Sequence, residues 1–132
     1  MRVFLVRHAE AAPGEPDELR PLTPAGRSAA RELGERLARD RIEPAVVLTS
    51  PLLRARETGQ AIAAEVGCPT EPTDKLAFGA SADDLRRAVA GRGQIVVAVG
   101  HQPDCGRIAA EISGGPEPAF PPAGMVELRL DN

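Results

Sequence analysis

The sequence predicts a three-layer α/β/α sandwich built on a mainly parallel sheet with an antiparallel edge strand, and three observations carry that prediction. Apolar runs of strand length, at residues 3–6, 45–50 and 94–99, alternate with stretches of helical periodicity. Such alternation implies right-handed crossovers and parallel pairing. These runs are apolar on both faces, as strands covered by helices on both sides require. The last run, 125–130, instead alternates, with Val126, Leu128 and Leu130 set against Glu127 and Arg129. That is the pattern of an edge strand with one wet face.

The first strand, Val3 to Val6, stops abruptly at Arg7-His8, with the small Ala9 next. Residues 11–20 hold Pro13, Gly14, Pro16 and three acids, and read as an exposed loop. Thr23-Pro24 then opens a helix, with Thr23 as the capping residue and Pro24 at the first position, where its missing N–H costs nothing. Ala30, Leu33 and Leu37 share one face of this helix, which is expected to end near Asp40. The second strand, 45–50, is followed by Ser50-Pro51, read as another cap-plus-proline start for a helix reaching Val66. Leu53, Ile62, Ala63 and Val66 are expected to face the sheet, Arg56 and Glu57 to form an exposed pair, and Gly67 to close the helix.

Residues 68–80 read as a short extended piece and a loop. Ser81 and Asp84 stand at capping-box spacing and open a short helix to about Ala90. Gly91-Arg92-Gly93 lacks the third glycine of a dinucleotide loop and is a turn before the third strand, 94–99. That strand ends in Gly100-His101. A helix from Asp104 to Ser113 follows, with Asp104 expected as its cap and Cys105 as a packed thiol. A proline-rich loop, 114–122, leads into the edge strand.

A chain of 132 residues buries roughly two thirds of the surface its unfolded form exposes, enough for one domain, 1–132, without staples. Net charge is −3, no block of like charge occurs, and the only aromatics are three Phe, so nothing marks a nucleic-acid surface. Cys68 and Cys105 are far apart and read as reduced thiols. The N-terminal apolar run is too short for a signal-peptide core, and no stretch approaches a membrane span. A cytoplasmic protein without a membrane partner is the expectation.

Three strand ends carry polar groups of one kind: Arg7-His8, Ser50-Pro51-Leu52-Leu53-Arg54, and Gly100-His101. Arg54 falls in the first turn of its helix, beside free backbone N–H groups. If these ends meet, two guanidinium groups and two imidazoles share one pocket. Like charges about 4 Å apart repel by ~4 kcal/mol at an effective dielectric near 20. An anion relieves that cost, and a phosphoryl group fits forked arginine donors well. Zinc fits poorly: His8 and His101 stand 93 positions apart with no close pair or nearby carboxylate, and Arg7 repels a dication.

Arg7-His8-Ala9 after a short strand, Ser50-Pro51-Leu52-Leu53-Arg54-Ala55-Arg56-Glu57-Thr58 opening the second helix, and Val99-Gly100-His101 after a late strand resemble the histidine phosphatase superfamily, the phosphoglycerate mutase-like proteins. Within it, the small size and Arg20-Pro21-Leu22-Thr23 before the first helix resemble the SixA-type phosphohistidine phosphatases. The resemblance runs from Met1 to about Ser113. One departure is visible: the usual Arg-His-Gly reads Arg-His-Ala, so the loop path after His8 is expected to avoid glycine-only conformations.

The resemblance implies a role for each matching residue. His8 is the implied nucleophile, forming a phosphohistidine intermediate. Arg7 and Arg54 bind the phosphoryl oxygens, with Arg20 as a third, and His101 contacts the phosphoryl group and stabilises its charge. Neither metal nor cofactor is implied. A general acid is not matched: Glu15, Asp17 and Glu18 of the first loop are candidates, with Glu71 and Asp74 further on, and each also reads as a solvated surface charge. The expected activity is removal of phosphate from phosphohistidine on a partner protein, releasing inorganic phosphate. The short connection 67–81 supplies no lid, which suits a protein substrate. The alternatives are a phosphatase of small phosphate esters and a non-catalytic phosphate-binding module.

Overall fold

The apolar runs become the strands of one five-stranded sheet in a computed structural model that describes residues 1–131. In chain order the elements are β1 (Arg2–Arg7), α1 (Pro24–Arg39), β2 (Val46–Thr49), α2 (Leu53–Val66), β3 (Thr70–Pro72), α3 (Ala82–Val89), β4 (Ile95–Gly100), α4 (Asp104–Ser113) and β5 (Met125–Arg129), with single 3₁₀ turns at Asp17–Leu19 and Asp74–Leu76. The sheet order is β3-β2-β4-β1-β5. β5 pairs antiparallel with β1 at the edge, and the other pairings are parallel.

Alternate strand residues feed two buried layers, as the two-residue period of a strand dictates. Phe4, Val6, Val47, Val97 and Val99 pack with Leu33 and Leu37 of α1 and Ala55, Ile62 and Ala63 of α2. Val3, Leu5, Val46, Leu48, Val96 and Ala98 pack instead with Leu85 and Val89 of α3 and Cys105 and Ile108 of α4. Burying a side chain of this size is worth about 1.5–3 kcal/mol relative to leaving it exposed. These two layers hold the helices on opposite faces of the sheet.

Helix boundaries follow from local chemistry at most ends. Thr23 Oγ1 accepts the Gly26 N–H at 2.9 Å and Pro24 takes the first position of α1. Ser81 and Asp84 form the reciprocal capping box of α3. Gly67, at φ 75°, closes α2 in the left-handed conformation. Two expectations fail. The second helix begins at Leu53 rather than Pro51, and no side chain caps it, because Ser50, expected as the cap, lies two residues before the N-cap Leu52; its Oγ accepts the Leu52 N–H and lies 2.7 Å from His101 Nε2. Asp104 is the first residue of α4 and does not cap it; its carboxylate accepts the Gly79 N–H and pairs with Arg107.

Sheet order places the strand ends that matter side by side. Arg7 is in register with Gly100, and Thr49 with Val99. His8, Ser50 and His101 are therefore the next residues out of three neighbouring strands. The chain leaves β1 toward α1 on one face and leaves β4 toward α4 on the other. Adjacent strands whose connections diverge in this way open a crevice at their carboxyl ends, where ligands of open α/β sheets bind.

Candidate active site

His8 continues the ladder, donating its N–H to the Gly100 carbonyl at 3.0 Å. Its Nδ1 lies 2.8 Å from the Ala9 carbonyl oxygen. A carbonyl only accepts, so Nδ1 carries the hydrogen and Nε2 keeps its lone pair. Burial lowers the His8 pKa, and the cations of Arg54, Arg7 and Arg20 lower it further against the opposing Ala9 bond. The imidazole is thus held neutral with one basic nitrogen free.

The loop after His8 is fixed on two sides. Ala9 is fully buried against Leu22 and Ala30. Its N–H donates to Thr58 Oγ1 at 3.0 Å, and that hydroxyl donates to the Arg54 carbonyl at 2.8 Å. A direct chain of bonds so ties the His8 loop to the first turn of α2. On the other side, a Cβ at Gly26 would meet the Glu10 carbonyl oxygen at 2.2 Å, so only glycine lets α1 approach this closely. The positive-φ residues other than glycine are Arg41 and Ala123, so Ala9 needs no conformation reserved for glycine.

His101 stands across from His8, with ring centroids 5.2 Å apart. It is buried, and its pKa falls to about 3, through burial first and then through repulsion from His8 and Arg54. Nε2 contacts Ser50 Oγ, whose oxygen also accepts the Leu52 N–H at 3.3 Å. The other ring nitrogen, Nδ1, is buried with no partner among the described residues, and so are Nε of Arg7 and of Arg56. Unpaired buried polar atoms are rare and call for a ligand or a functional account. Nη1 of Arg7 donates to the Phe120 carbonyl at 3.0 Å, which anchors this guanidinium from the β5 side.

Arg54 is buried on α2, and both of its terminal nitrogens reach Asp17: Nη1 donates to the carbonyl and Nη2 to Oδ2. Arg20 donates Nη1 to the other carboxylate oxygen at 3.0 Å and Nε to the Ala12 carbonyl at 2.8 Å. Hydrogen bonds from Arg20 and Arg54 lower the Asp17 pKa, so this carboxylate stays ionised. Arg7, His8, Arg54 and His101, named from sequence, are thus brought together at the carboxyl end of the sheet, with Arg20 joined through Asp17.

The other candidate acids lie outside that network. Glu15 and Glu18 are exposed on the Asp17 loop and have no hydrogen bond or ion pair among the described residues. Glu71 pairs with Arg92, and Asp74 opens a 3₁₀ turn. Arg56 and Glu57 do not form an exposed pair: both are half-buried, and Glu57 accepts the Leu22 N–H at 2.8 Å, pinning the Arg20 loop to α2.

Sequence reasoning missed two neighbours of His101. The Ser50-Pro51 pattern points to a helix cap and carries no signal of an imidazole partner. Phe78, in the connection read as supplying no lid, stacks on the His101 ring at 4.1 Å with 26° between planes. Its composition was the available signal, as one of three Phe in the chain and placed in a loop beside a glycine. Among the described residues, no cluster of three or more His, Cys, Asp or Glu is placed to hold a metal ion. No helix among the described residues is long and apolar enough to cross a membrane.

Comparison with known proteins gives a consistent result. The sequence profile of the histidine phosphatase superfamily (branch 1) matches residues 3–77. An uncharacterised protein from Picosynechococcus sp. (strain ATCC 27264 / PCC 7002 / PR-6) is 37% identical over 123 residues, covering 87% of this chain and 74% of the relative. The phosphohistidine phosphatase SixA of Escherichia coli (strain K12) is 29% identical over 139 residues, covering 99% of this chain and 86% of that protein. The solved structure of the protein histidine phosphatase SixA complexed with tungstate superposes with a TM-score of 0.90 at 28% identity, covering 99% of this chain and 89% of that chain.

Proposed function

The chain belongs to the histidine phosphatase superfamily, and from that premise we propose that it is a phosphatase that removes the phosphoryl group from phosphohistidine on a partner protein through a His8 phosphoenzyme. Membership and the similarity to SixA support phosphatase activity. One observation supports the mechanism above the others: a neutral imidazole with its Nδ1 hydrogen committed to Ala9 stands 5.2 Å from the His101 ring and within the field of Arg54, Arg7 and Arg20.

In the proposed first step, the lone pair of His8 Nε2 attacks phosphorus and forms an N–P bond. The bond from phosphorus to the leaving group breaks, and the leaving group keeps that electron pair and takes a proton. Water then attacks the phosphoenzyme, displaces His8 and releases inorganic phosphate. Phosphoryl transfer asks mainly for positioning and charge stabilisation. Arg7, Arg54 and Arg20 supply donors for the phosphoryl oxygens. The hydrogen bond between His101 Nε2 and Ser50 Oγ holds the second imidazole in place beside His8.

The state of Asp17 favours the phosphohistidine substrate over an alkyl ester. An alkoxide leaving group needs a proton delivered by an acid, whereas the carboxylate bonded into this site is held ionised by Arg20 and Arg54. Imidazole has an ordinary pKa near 6.5, so a phosphoimidazole takes up its own proton near neutral pH and leaves without such help. The SixA protein complexed with tungstate, a tetrahedral oxyanion of phosphate shape, supports an oxyanion site on this fold.

The test is turnover of a phosphohistidine-bearing protein against a panel of phosphate monoesters, for wild type and His8→Ala. Higher kcat/KM on the N–P bond, with no turnover by the variant, is expected. Preference for esters overturns the substrate assignment. Phosphate binding without cleavage of either bond reduces the protein to a phosphate-binding module.

A further inference from the structure

Phe78 is one of two large hydrophobic side chains that the fold leaves exposed, at 56%. Its position is nevertheless held firmly. Leu76 and Ala80 on either side are buried in the α3/α4 layer. The Ala80 N–H returns to the Ala77 carbonyl at 3.1 Å, closing a tight turn around Phe78 and Gly79. Gly79 sits at φ 89°, a conformation that favours glycine. The buried carboxylate of Asp104 then accepts the Gly79 N–H at 2.8 Å, clamping the turn to α4.

One part of the ring lies on His101, and the Arg54 guanidinium carbon lies 5.5 Å from its centroid. Both of those groups belong to the crevice proposed to take the phosphoryl group. With over half of the side chain still open, the ring presents an apolar, polarisable surface at the mouth of that crevice. A purely structural Phe would be expected to bury this surface. An exposed aromatic held by a buried carboxylate at a phosphate site has a simple use, which is contact with whatever the phosphoryl group is attached to.

We propose that Phe78 is a specificity-determining residue whose ring stacks against planar leaving groups, selecting phosphorylated imidazole and aryl substrates over phosphate esters of aliphatic alcohols. The proposal rests on the phosphatase reading of the same crevice and names the class of leaving group. Aromatic pairs contribute beyond simple area burial, by an amount equivalent to roughly threefold to tenfold in binding.

The experiment compares wild type with Phe78→Ala and Phe78→Leu on a phosphohistidine peptide, phenyl phosphate and glycerol 3-phosphate. For each substrate the ratio of wild-type to variant kcat/KM is taken, so that differences in leaving-group chemistry cancel. The expected ratio is about threefold to tenfold for the two planar leaving groups and under about twofold for glycerol 3-phosphate, with Phe78→Tyr restoring activity on the planar substrates. The Kd of inorganic phosphate, which has no leaving group, is expected to change by less than about twofold in every variant. Equal loss on all three substrates, weakened phosphate binding, or no loss on any substrate overturns the proposal and leaves the phosphatase reading intact. Phe78→Leu keeps the bulk without the ring, so its melting temperature separates a folding defect from a lost stack. If wild type cleaves none of the three, the phosphatase reading fails, and the proposal with it.

Discussion

Arg54 gives both of its terminal nitrogens to Asp17, Nη1 to the main-chain carbonyl at 3.0 Å and Nη2 to a carboxylate oxygen at 3.2 Å. The guanidinium is nearly inaccessible, at 4% exposure, while the Asp17 side chain remains 55% exposed. A buried cation therefore has its charge balanced from the solvent side. In the proposed reaction an incoming phosphoryl group would offer oxygens to the same donors.

Replacing that carboxylate exposes the consequence. Asp17→Asn leaves the Arg54 charge without its counter-ion in the free protein. The expected result is a fall in melting temperature of roughly 2–5 °C, largely restored by saturating phosphate. Binding of phosphate is expected to tighten by about threefold, since the Asp17 carboxylate, which is largely in solvent, is a weak competitor. Thermal scans and calorimetric titration of wild type and variant check both, and looser binding by the variant would show that Asp17 orients Arg54 for the anion.

His101 makes the fold sensitive to acid. Its folded pKa, about 3, lies below the ordinary value of 6.5, so between these limits the unfolded chain binds a proton that the folded chain refuses. Stability is then fully retained above pH 6.5 and declines as the pH falls toward 3, by on the order of 4 kcal/mol if the whole shift is realised. Denaturant melts between pH 7 and pH 4 are expected to show a shallower decline for His101→Gln than for wild type. Parallel declines would place the acid sensitivity in the carboxylates instead.

Ser50 lies 2.7 Å from His101 Nε2 and is the only hydroxyl bonded to that ring among the described residues. Ser50→Ala removes the hydrogen-bond partner of Nε2 and frees the ring to reorient. A hydrogen bond of about 1.4 kcal/mol corresponds to a tenfold rate factor. The variant is expected to keep its fold and lose about tenfold in kcat, with a smaller change in KM. Steady-state kinetics with a circular dichroism control decides it.

Gly59 sets how closely α2 approaches β2. A Cβ there would lie 2.4 Å from Thr49 Cγ2 and 3.2 Å from Val47 Cγ1, both in buried strand positions that have no room to give. Gly59→Ala is expected to cost about 1–3 kcal/mol as overpacking and to lower activity by displacing Arg54 on the same helix. Adding Thr49→Ser deletes the offending methyl group and is expected to recover most of the stability in a urea melt. No recovery in the double variant would place the strain elsewhere.

The sequence by itself determined the elements and the candidate chemistry. Apolar runs bounded by glycine and proline defined the strands, Thr23-Pro24 and Ser81 with Asp84 defined helix starts, and Arg7-His8, Arg54 and Gly100-His101 stood out as polar groups at strand ends. These are short-range properties, readable because a cap or a period involves residues a few positions apart. Only the tertiary structure decided that β4 lies between β1 and β2, which sets His101 beside both His8 and Ser50. The same long-range packing turned Ser50 from a cap into an imidazole partner, folded Asp17 back onto Arg54, and laid Phe78 over His101. Sheet order follows from which apolar faces are buried against which helices, a global balance that no local window of the chain contains.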